Sequence, residues 1–157
     1  MPTHIGRHQG DLLSVTHGVI VHGCNAQGKM GRGVAKAVRE RYPGAYSAYM
    51  AVYGSRGLHL GDIIEYVPPS RGDRPPLVIV NAITQLAYGR GQRFVDYEGL
   101  RCCFEKVAAL ARRYGLSDIH FPLIGCDRGG GDWTEVAPII EQTLEGLNAH
   151  LWVLHRP

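Results

Sequence analysis

An α/β layer sandwich is the predicted fold, and three observations predict it. Short apolar runs alternate with longer stretches of helical periodicity, and two of those runs lead through a glycine-rich turn into a helix. The third is bulk composition: 157 residues, 45% hydrophobic and 20% charged, suit a soluble chain with one core. A single domain over 1–157 is expected, with no internal repeat or low-complexity tract.

The first strand is expected over 4–8, and the second, over 18–23, is the apolar run that opens Val19-to-Val38, VIVHGCNAQGKMGRGVAKAV. Helices over 32–41 and 43–54 follow its glycine turn, then a strand over 62–67. Pro68 to Pro76, PPSRGDRPP, is a polar, proline-bounded loop before the strand over 77–82, whose run Leu77-Val78-Ile79-Val80 ends in Asn81. A second loop, Tyr88 to Arg93, carries Arg90 and Arg93 and reads equally as a ligand-lining segment or a solvated connection. In the helix over 97–115, Leu100, Cys103, Phe104, Val107, Leu110 and Ala111 recur at helical spacing, a core-facing stripe. The strand over 118–122 leads through PLIGCDRGGGDW to a helix over 133–146, and a last strand spans 150–155.

Both glycine turns suit phosphate. Glycine lets the backbone approach an anion, and the helix start beyond offers free N–H groups at the positive end of its dipole. If the two strands are parallel neighbours, both turns emerge at one carboxyl edge and can grip a diphosphate from two sides. Two nucleotide motifs are excluded. Gly23, Gly28 and Lys29 fit a P-loop, but Met30 replaces its metal-binding hydroxyl and Asn81 its second acidic ligand. Gly28, Gly31 and Gly33 are spaced G-x-x-G-x-G, which is not the dinucleotide fingerprint. No metal and no cofactor are expected.

Around the turns stand the candidate reactive groups. His22, read as lying at the strand end, is a catalytic candidate or a structural histidine, and Asn25 sits beside the anion site. Asp127 is a base, a water-orienting group or a turn-stabilising residue, and Arg128 a phosphate ligand or a solvent-facing side chain. Asp132 begins a capping box, Asp132-Trp133-Thr134-Glu135, and is read as a helix cap. Asp11 could accept from an adenine amino group or serve as a turn cap.

Fourteen of the seventeen basic residues are arginine, leaving Lys29, Lys36 and Lys106 as the lysines, and a net charge of +3 spread along the chain makes no case for nucleic acid. Cys24, Cys102, Cys103 and Cys126 lack C-x-x-C spacing and read as reduced, buried thiols. The polar N-terminus is unlike a signal peptide and no apolar run approaches a membrane span, so a cytoplasmic protein with no membrane partner is expected.

In order and spacing, Gly10-Asp11-Leu12, HGCNAQGKMGRGVAKAVRERYP and PLIGCDRGGGDW resemble the macrodomain family, ADP-ribose-binding modules. The resemblance implies a three-layer α/β/α sandwich with a mixed, mostly parallel central sheet. It implies that Asp11 holds adenine, that Leu12 also binds ADP-ribose, that Asn25 faces the distal ribose, and that Gly31, Arg32, Gly33 and Val34 with Gly125, Cys126, Asp127, Arg128, Gly129 and Gly130 hold the diphosphate. The branch it is most similar to contains ADP-ribose 1''-phosphate phosphatases and ADP-ribosyl glycohydrolases. Those glycohydrolases use a lysine where this chain has Gln85 after Thr84, and a neutral amide cannot form a Schiff base. His22-Gly23-Cys24-Asn25 resembles the HxCN segment of the phosphatases. The implied activity is metal-independent removal of phosphate from ADP-ribose 1''-phosphate, with His22, Asn25 and Asp127 as catalytic residues. The alternatives are an ADP-ribosyl hydrolase acting on modified protein or nucleic acid, and a non-catalytic ADP-ribose reader.

Overall fold

The computed structural model describes residues 1–69, 72, 76–87, 93–126 and 129–154. Six strands form one sheet: β1 (Ile5–Gln9), β2 (Gly18–Asn25), β3 (Ile63–Tyr66), β4 (Leu77–Gln85), β5 (Asp118–Phe121) and β6 (Asn148–Val153). Four helices accompany them: α1 (Gly33–Arg41), α2 (Pro43–Ser55), α3 (Tyr97–Tyr114) and α4 (Trp133–Thr143). Each expected element is present, with ends displaced by a few residues.

The strand order is β1-β6-β5-β2-β4-β3, and only the β3–β4 pairing is antiparallel. The sheet is therefore mixed and mostly parallel, as the resemblance implies. β2 and β4 outrun their expected ends because each finds a hydrogen-bonding partner in the other as far as Asn25 and Gln85. β6 starts earlier than expected, since Asn148 and Ala149 pair with Asp118 and Ile119 of β5.

Two cores follow from the period-2 alternation of the buried strands. Val19, Val21, Val78 and Val80 pack on one face with Leu100, Phe104 and Val107 of α3 and Val136 and Ile140 of α4. Ile20, Cys24, Ile79 and Ile83 pack on the other with Val38 of α1 and Ala45 and Tyr49 of α2. This is the three-layer arrangement. The expected α3 stripe is buried throughout, and Phe104 meets Phe121 edge-on at 5.9 Å. Side chains of this size stabilise the fold by about 1.5–3 kcal/mol each when fully buried. Asp96 caps the start of α3, and Gly115, at φ 69°, ends it in the left-handed region. No helix of the described residues is long and apolar enough to cross a membrane.

Candidate functional site at the carboxyl edge of the sheet

β2 lies between β5 and β4 and parallel to both, so the segments leaving Asn25, Phe121 and Gln85 emerge together. The segment leaving β1 at Gly10 and Asp11 emerges at the same edge. Ligands of open α/β sheets bind at such an edge.

The first glycine turn is built by Asn25 and Tyr49. The Asn25 amide accepts from Gln27 N–H at 3.0 Å and donates to the Lys29 carbonyl at 2.9 Å. Tyr49, fully buried on α2, donates to the Asn25 carbonyl at 2.7 Å and accepts from Lys29 N–H at 3.1 Å. Gly28 has φ 76°, and a Cβ there would stand 2.9 Å from the Tyr53 ring. Beyond the buried Met30 the chain surfaces: Gly31, Arg32, Gly33 and Val34 are all exposed. Arg32 occupies the cap position of α1 in extended conformation and supplies no side-chain cap. The helix start is thus left without a side-chain partner for its first amides, a seat for an anion.

The second turn is tighter and closes on itself. Gly131 N–H bonds the Gly125 carbonyl at 2.7 Å, and the Gly129 carbonyl accepts from Phe94 and Val95. A Cβ on Gly129 or Gly131 would lie 2.7 or 2.6 Å from the Gly125 oxygen, so neither position has room for one. Asp132 caps α4, accepting from Thr134 N–H at 2.9 Å and Thr134 Oγ1 at 2.8 Å. The cap reading is the one observed. A carboxylate thus already occupies the helix start of α4. Burial pushes the Cys126 thiol up to about 11, so it is not a thiolate at neutral pH.

His22 is a second correction. β2 continues three residues past it, and its ring is fully buried on the α1/α2 face. Its Nε2 meets Asn81 Oδ1 at 2.6 Å, and Asn81 Nδ2 donates to the Ala45 carbonyl at 3.1 Å. Burial lowers its pKa to about 4 against the opposing effect of the Asn81 bond. His22 is a neutral core histidine tying two central strands to α2, and it has no surface from which to reach a substrate. Asn25 is likewise buried and spends its amide on the turn, so here it positions the loop.

Asp11 is exposed and caps the 3-10 turn Leu12–Ser14 through Leu13 N–H at 2.9 Å, while the Leu12 side chain is buried. Gly125, Gly129 and Gly130 stand in the second turn, whereas Asp127, Arg128 and Arg90 lie outside the described residues. Arg93 is described, its guanidinium 4.6 Å from the Tyr97 ring centre. Among the described residues no cluster of His, Cys, Asp or Glu is arranged to hold a metal, and the four cysteines are free.

Two side chains beyond the expected set stand at the end of β4, Gln85 beside the second turn and Thr84 fully buried. Gln85 donates to the Ala87 carbonyl at 2.6 Å, and its Oε1 is 3.1 Å from where a Cβ on Gly129 would stand. Thr84 Oγ1 is buried with no hydrogen-bond partner, facing Gly23. A shallow cleft of about 320 Å³ adjoins them, lined by Leu60, Leu86, Ala87 and Arg93 to Asp96. Tyr49, 24 residues from Asn25, had no local sequence signal; only the packing of α2 brings it to the turn.

The pattern of the Macro domain family matches residues 21–140. The chain is 30% identical over 152 residues to the DNA ADP-ribosyl glycohydrolase of Thermus aquaticus, covering 92% of this chain and 39% of that protein. It is 43% identical over 42 residues to the ADP-ribose 1''-phosphate phosphatase of Neosartorya fischeri, covering 26% of this chain and 21% of that protein. It thus spans a minor part of the length of these curated relatives. A macrodomain protein from Streptomyces coelicolor has the same fold, with a TM-score of 0.76 at 28% identity over 98% of this chain and 100% of that one. With its two glycine turns at the carboxyl edge of a β1-β6-β5-β2-β4-β3 sheet, this chain belongs to the Macro domain family.

Proposed function

We propose that this domain binds ADP-ribose across its two glycine turns and hydrolyses the bond joining that group to a macromolecule. The observation that supports the reading is the pairing of the turns on adjacent parallel strands, with the uncapped start of α1 to receive the diphosphate and Gln85 at the end of the neighbouring β4. The Thermus aquaticus glycohydrolase, alike along 92% of this chain, supports the same class of substrate. Gln85 forms no covalent adduct, so water is the nucleophile: its oxygen bonds to the anomeric carbon, the macromolecular leaving group departs with the bonding pair, and a proton follows it. The Gln85 amide, beside the second turn, orients that water.

The second reading is the phosphatase. It is favoured by the stretch of 42 residues alike in the Neosartorya fischeri enzyme, and it must run without His22 as acid or base because that ring is interior. One experiment separates the readings. The protein is incubated, without added metal, with ADP-ribosylated DNA, ADP-ribosylated protein and ADP-ribose 1''-phosphate, and free ADP-ribose is quantified. Release from a macromolecule with Gln85→Ala slowed supports the hydrolase. Release from the phosphate ester alone replaces it with the phosphatase, and tight ADP-ribose binding with no turnover makes the domain a reader.

A further inference from the structure

Away from the glycine turns, β1, β5 and β6 carry a closed ring of aromatic side chains on the α1/α2 face of the sheet. The register places His8 beside Trp152 and His120 beside His150. His8 stacks on Trp152 at 4.6 Å, and His120 stacks on His150 at 4.8 Å. Hydrogen bonds close the ring: Trp152 Nε1 donates to His120 Nδ1 at 2.9 Å, and His8 Nε2 meets His150 Nδ1 at 2.9 Å. Asp118 Oδ1 stands 2.9 Å from His150 Nε2.

These contacts assign the protons. A carboxylate only accepts, so His150 carries hydrogen on Nε2; in its neutral form Nδ1 is bare and accepts from His8 Nε2–H. His120 accepts from the indole at Nδ1, which leaves its buried Nε2 without a partner. Burial first, and His150 next, hold the His120 pKa down to about 4, so that ring stays neutral. The hydrogen bond from His150, foremost among the causes, holds the Asp118 carboxyl below its ordinary value. From the turn before β2, His17 also bears on His120, while β2 itself presents Gly18 and Ile20.

β1 is an edge strand with β6 as its one neighbour in the sheet. Its start is pinned by Thr3, whose N–H bonds the Glu141 carbonyl at 2.9 Å and whose hydroxyl bonds the Leu147 carbonyl at 2.7 Å. Its far end is paired through Gln9 with Val153 and through Gly10 N–H with the Val153 carbonyl at 3.0 Å; the His8 contact adds to these, and a Cβ on Gly10 would lie 3.4 Å from the Trp152 ring, just before Asp11.

We propose that this ring is a proton-sensitive clasp: it adds a side-chain tie to the backbone pairing at the Asp11 end of β1 while one proton lies between His8 Nε2 and His150 Nδ1, and loosens that end when solvent supplies a second. A proton added at His8 Nδ1 leaves the contact intact. One added at His150 Nδ1 sets N–H against N–H between two imidazolium rings, and the bond is lost. The consequence for a ligand at Asp11 rests on the ADP-ribose reading; the clasp does not.

Amide hydrogen exchange on the ligand-free protein tests it, with rates corrected for intrinsic pH dependence and β4 as the internal reference for global unfolding. Exchange along Gln9 to Leu13 is expected to rise about tenfold relative to β4 as the pH is lowered from neutral through the acid range in which the protein stays folded. His8→Gln keeps an N–H donor that gains no proton, and removes the rise. Asp118→Asn withdraws the charge that favours protonation, and moves the rise to lower pH. A rise shared equally by β4, a rise that persists in His8→Gln, or a midpoint unmoved in Asp118→Asn overturns the proposal. ADP-ribose calorimetry on the same samples separates the two ideas: the exchange pattern with no ADP-ribose binding at any pH leaves the clasp standing and removes the ligand reading.

Discussion

The two glycine turns leave adjacent parallel strands and look alike in sequence, yet the structure finishes them differently. The first opens onto a helix whose cap residue, Arg32, offers its amides nothing, and its glycines Gly31 and Gly33 are exposed. The second folds around its own Gly125 carbonyl and ends on a helix already capped by Asp132. A helix start binds an outside anion only when no inside carboxylate has taken its place. On the proposed ADP-ribose reading, charge compensation for the diphosphate falls mainly to α1, and close backbone shape to the second turn.

The largest expected effect comes from placing a carboxylate at the open start. Gly33→Glu should weaken ADP-ribose binding by at least about 100-fold, because the added carboxylate occupies the anion seat and repels the diphosphate. Calorimetry on the folded variant decides it, and unchanged affinity would remove the first turn from the site. In the second turn the demand is steric. Gly131→Ala puts a Cβ 2.6 Å from the Gly125 oxygen and 2.7 Å from Val95 Cγ1, and should lower unfolding stability by about 1–3 kcal/mol in urea titrations. A neutral result would mean that this turn relaxes as readily as the first.

Tyr49→Phe sharpens the comparison from inside the fold. Losing the phenol takes one partner each from the Asn25 carbonyl and Lys29 N–H, and should cost about 1–2 kcal/mol of stability together with a several-fold loss of ADP-ribose affinity. Stability lost with affinity intact would show that the first turn keeps its shape unaided. The smallest effect is expected of Asp132→Ala: a slight fall in melting temperature, with ADP-ribose affinity unchanged or marginally improved as α4 loses its own carboxylate. A marked loss of affinity in that variant would show instead that Asp132 touches the ligand.

Much of this was legible along the chain because the relevant signals are local. Alternating apolar runs, the α3 stripe from Leu100 to Ala111, the N-cap at Asp132 and the two strand-turn-helix units each depend on residues within a few positions of one another. His22 was misread because nothing in HGCN tells where its strand stops; the parallel β4 carries β2 on to Asn25 and turns the ring into the core. The bonds of the Asn25 amide to Gln27 and Lys29 exist only once the turn has formed, so the sequence gives no sign of them.

By itself, the sequence determined the α/β class, the identity and order of the strands and helices, and the two turns in which glycine lets the backbone approach an anion. These follow from hydrophobic period and local turn chemistry, which act over a few residues. Tertiary structure decided which of those turns stays open, that His22 is interior, that Tyr49 shapes a loop 24 residues away, and that His8, His120, His150 and Trp152 close into one ring. Each depends on which strands become neighbours. That is set by the burial of the whole sheet between two helical layers, a condition no short window of sequence contains.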